Sequence, residues 1–228
     1  MRQLLLDWGA ARPQTLENFV LGRNAELLSL LGLIARREAS ALDQRFVTIW
    51  GDHGAGKSHL LRALAATPGA LLLTPESSSR DYRWSAETTL YLIDDGDQLA
   101  PHRQQAAFSL FNQVRESGGA MVATTGKPPA QLSLRDDLRT RLGWGLVYQV
   151  HGLSDEEKID ALSKSAHARG LSLSPGVLPY LLTHFRRDMQ SLSAMLDALD
   201  RYSLETQRPI TMPLLRELLQ LGDANPTT

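Results

Sequence analysis

Apolar residues in the first two thirds of the chain alternate between short continuous runs and helical periods. Runs at 45–50 (Arg-Phe-Val-Thr-Ile-Trp), 69–74, 89–94, 119–125 and 146–150 predict strands. Between and around them, apolar positions recur at helical spacing near 22–39, 57–66, 100–116 and 134–142. Strands that alternate with helices predict an α/β fold, a parallel sheet sandwiched by helices. From 153 to 221 no strand signal remains. There Ser154-Asp155-Glu156-Glu157 forms a capping box that opens a helix through about Arg169, stopped by Gly170. Segments 175–185, 188–204 and 213–221 predict further helices, so this part reads as a small α-helical bundle. Arg12-Pro13-Gln14-Thr15 has linker composition. The expected organisation is an arm at 1–14, an α/β domain at 15–151, a helical domain at 152–222 and a tail at 223–228.

Composition narrows the class. A chain of 228 residues with 43% hydrophobic and 21% charged residues suits a globular protein of one domain plus a smaller one. No apolar run approaches the length of a membrane span, and Met1–Trp8 is too short and carries Asp7, unlike a signal peptide. Zero cysteines exclude disulfides and thiolate metal sites and suit a reducing compartment, so the expected location is cytoplasmic. A net charge of −1 argues for little direct DNA binding, because duplex binding rests mainly on phosphate neutralisation.

The chemistry is concentrated at Gly51-Asp-His-Gly-Ala-Gly-Lys-Ser58, a complete G-x-x-x-x-G-K-[ST] phosphate loop between a predicted strand and a predicted helix. By chance this pattern should arise in about one chain in a hundred of this length. Gly51, Gly54, Ala55 and Gly56 let backbone N–H groups turn inward around phosphate oxygens, and the helix that follows through His59 adds its positive dipole end. Lys57 supplies a point charge for the β- and γ-phosphates, and Ser58 a hydroxyl for Mg²⁺, so the expected ligands are ADP or ATP with Mg²⁺. Leu90-Tyr-Leu-Ile-Asp94-Asp95 is an apolar strand ending in two carboxylates, a Walker B pattern. Asp94 is expected at Mg²⁺ and Asp95 at the attacking water, with Asp97 as a turn or cap residue. Met121-Val-Ala-Thr124-Thr125 is another apolar run ending in hydroxyls, and either threonine could reach the γ-phosphate or the lytic water.

These pieces together resemble the DnaA branch of the AAA+ ATPases. The matching segments are Thr15-Leu-Glu-Asn-Phe-Val-Leu-Gly22, the phosphate loop with His59-Leu60-Leu61, Asp94-Asp95, Lys127-Pro128-Pro129 and Arg141-Leu-Gly-Trp-Gly145. The resemblance implies an AAA+ module with a helical lid, and it gives residues roles by position. Thr124 or Thr125 becomes sensor 1, and Arg141, rather than the nearby Arg139, becomes an arginine finger presented in trans to a neighbour's ATP. Arg187, in preference to Arg186, becomes the sensor 2 contact to phosphates. Val20 and Leu21, within the Asn18–Gly22 segment, fall where the family cradles adenine.

Two features point to one kind of member. The helix-turn-helix domain of the initiators is not expected, since the chain stops at Thr228, and residues 151–228 hold eight Lys/Arg against ten Asp/Glu, unlike a DNA-reading module. Gln3-Leu4-Leu5-Leu6-Asp7-Trp8 looks like the peptide with which replication proteins dock on the bacterial β sliding clamp. There Gln3 would be hydrogen-bonded while Leu6 and Trp8, supported by Leu4, fill an apolar pocket. This combination resembles family members that stimulate hydrolysis of DnaA-bound ATP and so act as negative regulators of replication initiation. The implied partners are DnaA, the clamp on DNA, which would bring the protein to the nucleoid, and further copies of this chain in a homodimer or higher oligomer. Two other readings stay open: an autonomous AAA+ ATPase such as a helicase loader, and an adaptor with vestigial nucleotide binding.

Overall fold

The computed structural model describes residues 13–223. Five strands, β1 (Phe46–Trp50), β2 (Ala70–Leu73), β3 (Leu90–Ile93), β4 (Ala120–Thr125) and β5 (Leu146–Gln149), form one sheet in the order β2-β3-β4-β1-β5. Every pairing is parallel. Helices α1 (Ala25–Ala35), α2 (Lys57–Ala65), α3 (Pro101–Ser117) and α4 (Asp136–Leu142) belong to the same unit, Pro13–Gly152.

The alternation of side chains along each strand explains why the strands read as unbroken apolar runs. Phe46, Tyr91, Ile93, Met121 and Ala123 enter a core with Ala107, Leu110, Phe111 and Val114 of α3 and Leu138 and Leu142 of α4. Their neighbours Val47, Ile49, Leu90, Leu92 and Val122 enter a second core with α1 and α2. A parallel sheet buried on both faces has no polar side to show. In the order 2-3-4-1-5 the chain leaves β1 beside β4, and the carboxyl ends of these central strands are where ligands bind in open α/β sheets.

The largest departures from the periodicity are at the two ends of α1. Helix α1 covers Ala25–Ala35 rather than 22–39, because Gly22 (φ 47°) and Arg37 (φ 60°) are left-handed. Three 3₁₀ turns, Asp43–Arg45, Gly96–Gln98 and Pro129–Gln131, are too short to carry a period.

Asn24, just ahead of α1 and only 3% exposed, accepts from the His151 N–H at 2.9 Å and donates to its carbonyl at 3.0 Å. The amide thus satisfies both backbone groups of His151, just beyond the end of β5. Asn24→Ala should cost about 2 kcal/mol, since it leaves both partners without a mate. Chemical denaturation of the purified variant measures this, and an unchanged midpoint would contradict the bridging role.

The second unit, from Leu153, is helical apart from an isolated parallel bridge between Leu173 and Ile210: α5 (Asp155–Ala168), α6 (Val177–His184), α7 (Met189–Thr206) and α8 (Met212–Asp223). Ser154 and Glu157 form the reciprocal capping box, with Glu157 N–H to Ser154 Oγ at 3.1 Å and Ser154 N–H to Glu157 Oε2 at 2.7 Å. Asp188 caps α7 by accepting from Ser191 N–H at 2.8 Å. Leu162, Leu181, Leu192, Met195, Leu196, Leu199 and Leu214 build the unit's own core.

Candidate nucleotide site

The phosphate loop leaves β1 at Gly51, whose N–H reaches Thr125 O on the neighbouring strand at 3.3 Å. Gly51 is required by packing: a Cβ there would lie 2.5 Å from Val150 O. Gly54 (φ 78°) and Gly56 (φ 101°) turn the loop through left-handed conformations, and Ala55 between them is buried. Gly56 caps α2 without any side chain, so the first-turn N–H groups around Ser58 and His59 stay available to an anion. Lys57, 8% exposed, donates its ammonium to Gly51 O at 2.7 Å and Asp52 O at 2.9 Å. A buried cation strapped across the loop, with open amides beside it, fits a polyphosphate.

Strand β3 brings the acids. Asp94, 6% exposed, accepts from Thr124 Oγ1 at 2.6 Å, and the same hydroxyl accepts from Asp95 N–H at 2.9 Å. Thr124 therefore fixes both the Asp94 carboxylate and the turn that follows it. Thr125, fully buried beside Trp50 in the β1–β4 register, donates instead to Lys127 O at 2.8 Å. Of the two threonines, Thr124 is the one joined to the acid pair. Ser58 and Asp94 offer a hydroxyl and a carboxylate, a donor set that suits Mg²⁺ held together with phosphates and water.

Asp95 adopts a left-handed conformation (φ 46°) and leads into the 3₁₀ turn. Its pKa is raised, first by desolvation and then by the nearby charges of Asp94 and Asp97, against the smaller pull of Lys57 and His53. A carboxyl whose folded-state pKa is raised contributes nothing to stability while protonated in both states and costs stability once it ionises. Its penalty is absent below the ordinary carboxylate range and complete above the raised pKa, so this group's contribution falls as pH rises through that window. Asp95→Asn removes the charge and places a residue that tolerates φ > 0 better. It should raise the thermal midpoint near neutral pH and much less in acid, and a lowered midpoint at neutral pH would contradict this electrostatic picture.

The Thr15–Gly22 segment lies over the loop. His59 Nε2 is 2.9 Å from Thr15 O, and the Phe19 and His59 rings meet edge to face at 5.4 Å. A Cβ on Gly56 would approach Phe19 Cε2 to 2.7 Å, so the ring rests on the glycine. Val20 is half-buried, and Leu21, 48% exposed, presents apolar surface at this flank.

Arg141 sits near the end of α4. Its guanidinium lies over Phe108 at 5.6 Å and Phe111 at 5.8 Å, and its Nε is buried without a partner. Its neighbours are paired: Arg139 with Asp136 at 2.8 Å and Arg135 with Asp137 at 2.8 Å. In the lid, Arg187 is 63% exposed and loosely tied, with Nε donating to Leu182 O at 3.1 Å and Nη1 3.8 Å from Asp155. Arg186 is exposed. Gln3, Leu4, Leu6 and Trp8 lie outside the described residues.

Two positioning residues gave no motif. Gln104, 8% exposed, donates to Leu99 O at 2.8 Å and accepts from Arg135 N–H at 3.0 Å, which holds the start of α4. Thr48 in β1 donates to Leu142 O at 2.6 Å and holds its end. A polar residue inside an apolar strand was the only visible trace of Thr48.

Comparison with known proteins places this arrangement. Residues 74–149 match the model of the bacterial DnaA ATPase domain, and residues 155–219 match the model of the Hda lid domain. An uncharacterized protein of Haemophilus influenzae is 36% identical over 96% of this chain and 99% of its own length. Among solved structures, domain III of Thermotoga maritima DnaA superposes with a TM-score of 0.70 at 21% identity, covering 92% of this chain and 96% of that one. AMPPCP-bound DnaA from Aquifex aeolicus gives 0.68 at 20% identity, over 85% and 67%. Two family models in succession, on a two-unit fold like that of DnaA, lead to one conclusion: the chain belongs to the DnaA-related AAA+ proteins, as an Hda-like member.

Proposed function

We propose that the protein binds ADP or ATP with Mg²⁺ at its phosphate loop and, in that state, switches off DnaA by promoting hydrolysis of DnaA-bound ATP. The observation that carries this reading is the join of an Hda-type lid to an α/β unit in which the Arg141 guanidinium, unlike those of Arg135 and Arg139, has no carboxylate partner among the described residues.

In this reading the open amides of the loop and Lys57 take the phosphates, Ser58 and Asp94 face Mg²⁺, and Thr124 keeps Asp94 oriented. Bound Mg²⁺ would neutralise charge between the phosphates. Val20 and Leu21 border the base, and Arg187 is the residue assigned the sensor 2 role that the family resemblance implies. Arg141 serves the neighbour's site: its positive charge stabilises negative charge that builds on the transferred phosphoryl group of ATP held by DnaA. Asp95, next to Asp94, is the group that would polarise water in the protein's own site. Gln3, Leu4, Leu6 and Trp8 dock on the β sliding clamp, which concentrates the protein on replicated DNA. Copies of the chain then assemble side by side through the same finger-to-site geometry.

Lys57→Ala tests the nucleotide half. It should weaken ADP and ATP binding by about 10- to 100-fold, because a hydrogen bond to a charged group contributes about 1.5–3 kcal/mol. Action on DnaA should fall with it. Full action on DnaA by a variant that no longer binds nucleotide would contradict the proposal and favour an adaptor.

A further inference from the structure

At the opposite pole of the α/β unit, around the amino ends of β1, β3 and β4, the surface holds a cleft of about 380 Å³. Arg37, Arg45, Trp84, Thr88, Thr89 and Ser117 are among its lining residues, and no carboxylate is. None of the nucleotide-site residues lines it. We propose that this cleft binds one nucleotide unit, with the base on Trp84 and the phosphate between Arg37 and Arg45.

The residue chemistry carries the assignment. Neither Arg37 nor Arg45 forms an ion pair among the described residues. Arg37 donates to Pro68 O at 2.9 Å from a left-handed backbone (φ 60°), and its Nη2 would lie 3.2 Å from a Cβ on Gly69. Arg45 Nη1 donates to the carbonyls of Gly118 and Gly119, which fixes the guanidinium at the end of α3. Its Nε is buried and has no hydrogen-bond partner. A guanidinium offers five donors in one plane, so a phosphate oxygen can use what the carbonyls leave over. Trp84 is 41% exposed and donates its Nε1–H to Ser117 Oγ at 2.9 Å. That bond fixes the indole while leaving surface for a base, the arrangement on which single-stranded nucleic acids stack. The volume falls in the range of small-ligand pockets and suits one nucleotide rather than a duplex.

The source is a free nucleotide or one unit of a single strand, and the two are separable. The test titrates the full-length protein, with its phosphate loop saturated by ADP, with fluorescein-labelled (dT)₁₀ and with dTMP. The variants are Trp84→Ala, Arg37→Gln and, as a charge-matched control on α2, Arg62→Gln. The proposal expects binding that falls at least about tenfold in Trp84→Ala and Arg37→Gln and less than about twofold in Arg62→Gln, in line with about 1–3 kcal/mol per stacked base. For the strand, log K against log salt should have a slope near −0.7 to −1.4, the value for one or two phosphates. Preference for (dT)₁₀ over dTMP identifies the strand as the source, and equal affinity identifies the free nucleotide. Absence of binding to both, or an equal loss in all three variants, overturns the proposal. Thermal denaturation of each variant checks that it is folded.

Discussion

Replacing Arg141 with alanine is expected to lower the stimulated hydrolysis of DnaA-bound ATP by about 10³-fold or more, the scale set by arginine fingers supplied in trans. The protein's own binding of ADP should be unchanged, because Arg141 lies on α4 over Phe108 and Phe111 and makes no contact with its own phosphate loop among the described residues. The fold should survive too. The side chain stacks on rings that remain packed in the core, and its Nε has no hydrogen bond to lose. Arg141→Lys should rescue little, since an ammonium cannot reproduce the planar fork or its stacking. A variant that binds nucleotide normally and stimulates hydrolysis within about threefold of the parent would remove Arg141 from the mechanism.

Gly145→Ala is expected to be the most disruptive small substitution near this site, costing about 3 kcal/mol or more. A Cβ on Gly145 would sit 1.9 Å from Phe46 O and 2.8 Å from Phe46 Cβ, and backbone cannot swing aside as a flexible side chain can. Relief requires separating β5 from β1 where Val47 pairs with Leu146. It would also shift Trp144, whose ring meets Phe46 at 5.7 Å and Phe111 at 6.1 Å, the latter ring being one of the two beneath Arg141. Gly143→Ala is the matched control, because its Cβ would meet nothing nearer than 3.6 Å. Urea unfolding of the pair should show a large loss for Gly145→Ala and less than about 1 kcal/mol for Gly143→Ala. Equal losses would refute the close-approach argument.

The strands were legible because burial on both faces leaves no polar interruption, and all five runs appear within a residue or so of their predicted places. In the lid, α5 was legible through its Ser154–Glu157 box and α7 as the helical segment 188–204, whereas the Asp188 cap emerged only from the structure. The strand order was not legible, since each strand carries a similar apolar run and only tertiary packing decides that β4 lies between β1 and β3. Likewise, the pattern left Thr124 and Thr125 equal, and only the hydrogen bond to Asp94 separates them. Asn24, Thr48 and Gln104 escaped notice because isolated polar residues gain meaning only from distant backbone groups, such as His151 for Asn24. The cleft around Trp84 draws on residues from 34 to 120, a spread that no local motif could expose.

The central claim is tested most directly by single-turnover hydrolysis of ATP prebound to DnaA, with this protein and β clamp loaded on DNA added singly and together. The account predicts acceleration only when both are present, abolished by Arg141→Ala in the protein. Acceleration that needs neither the clamp nor Arg141, or no acceleration while the protein hydrolyses ATP on DNA by itself, would contradict it.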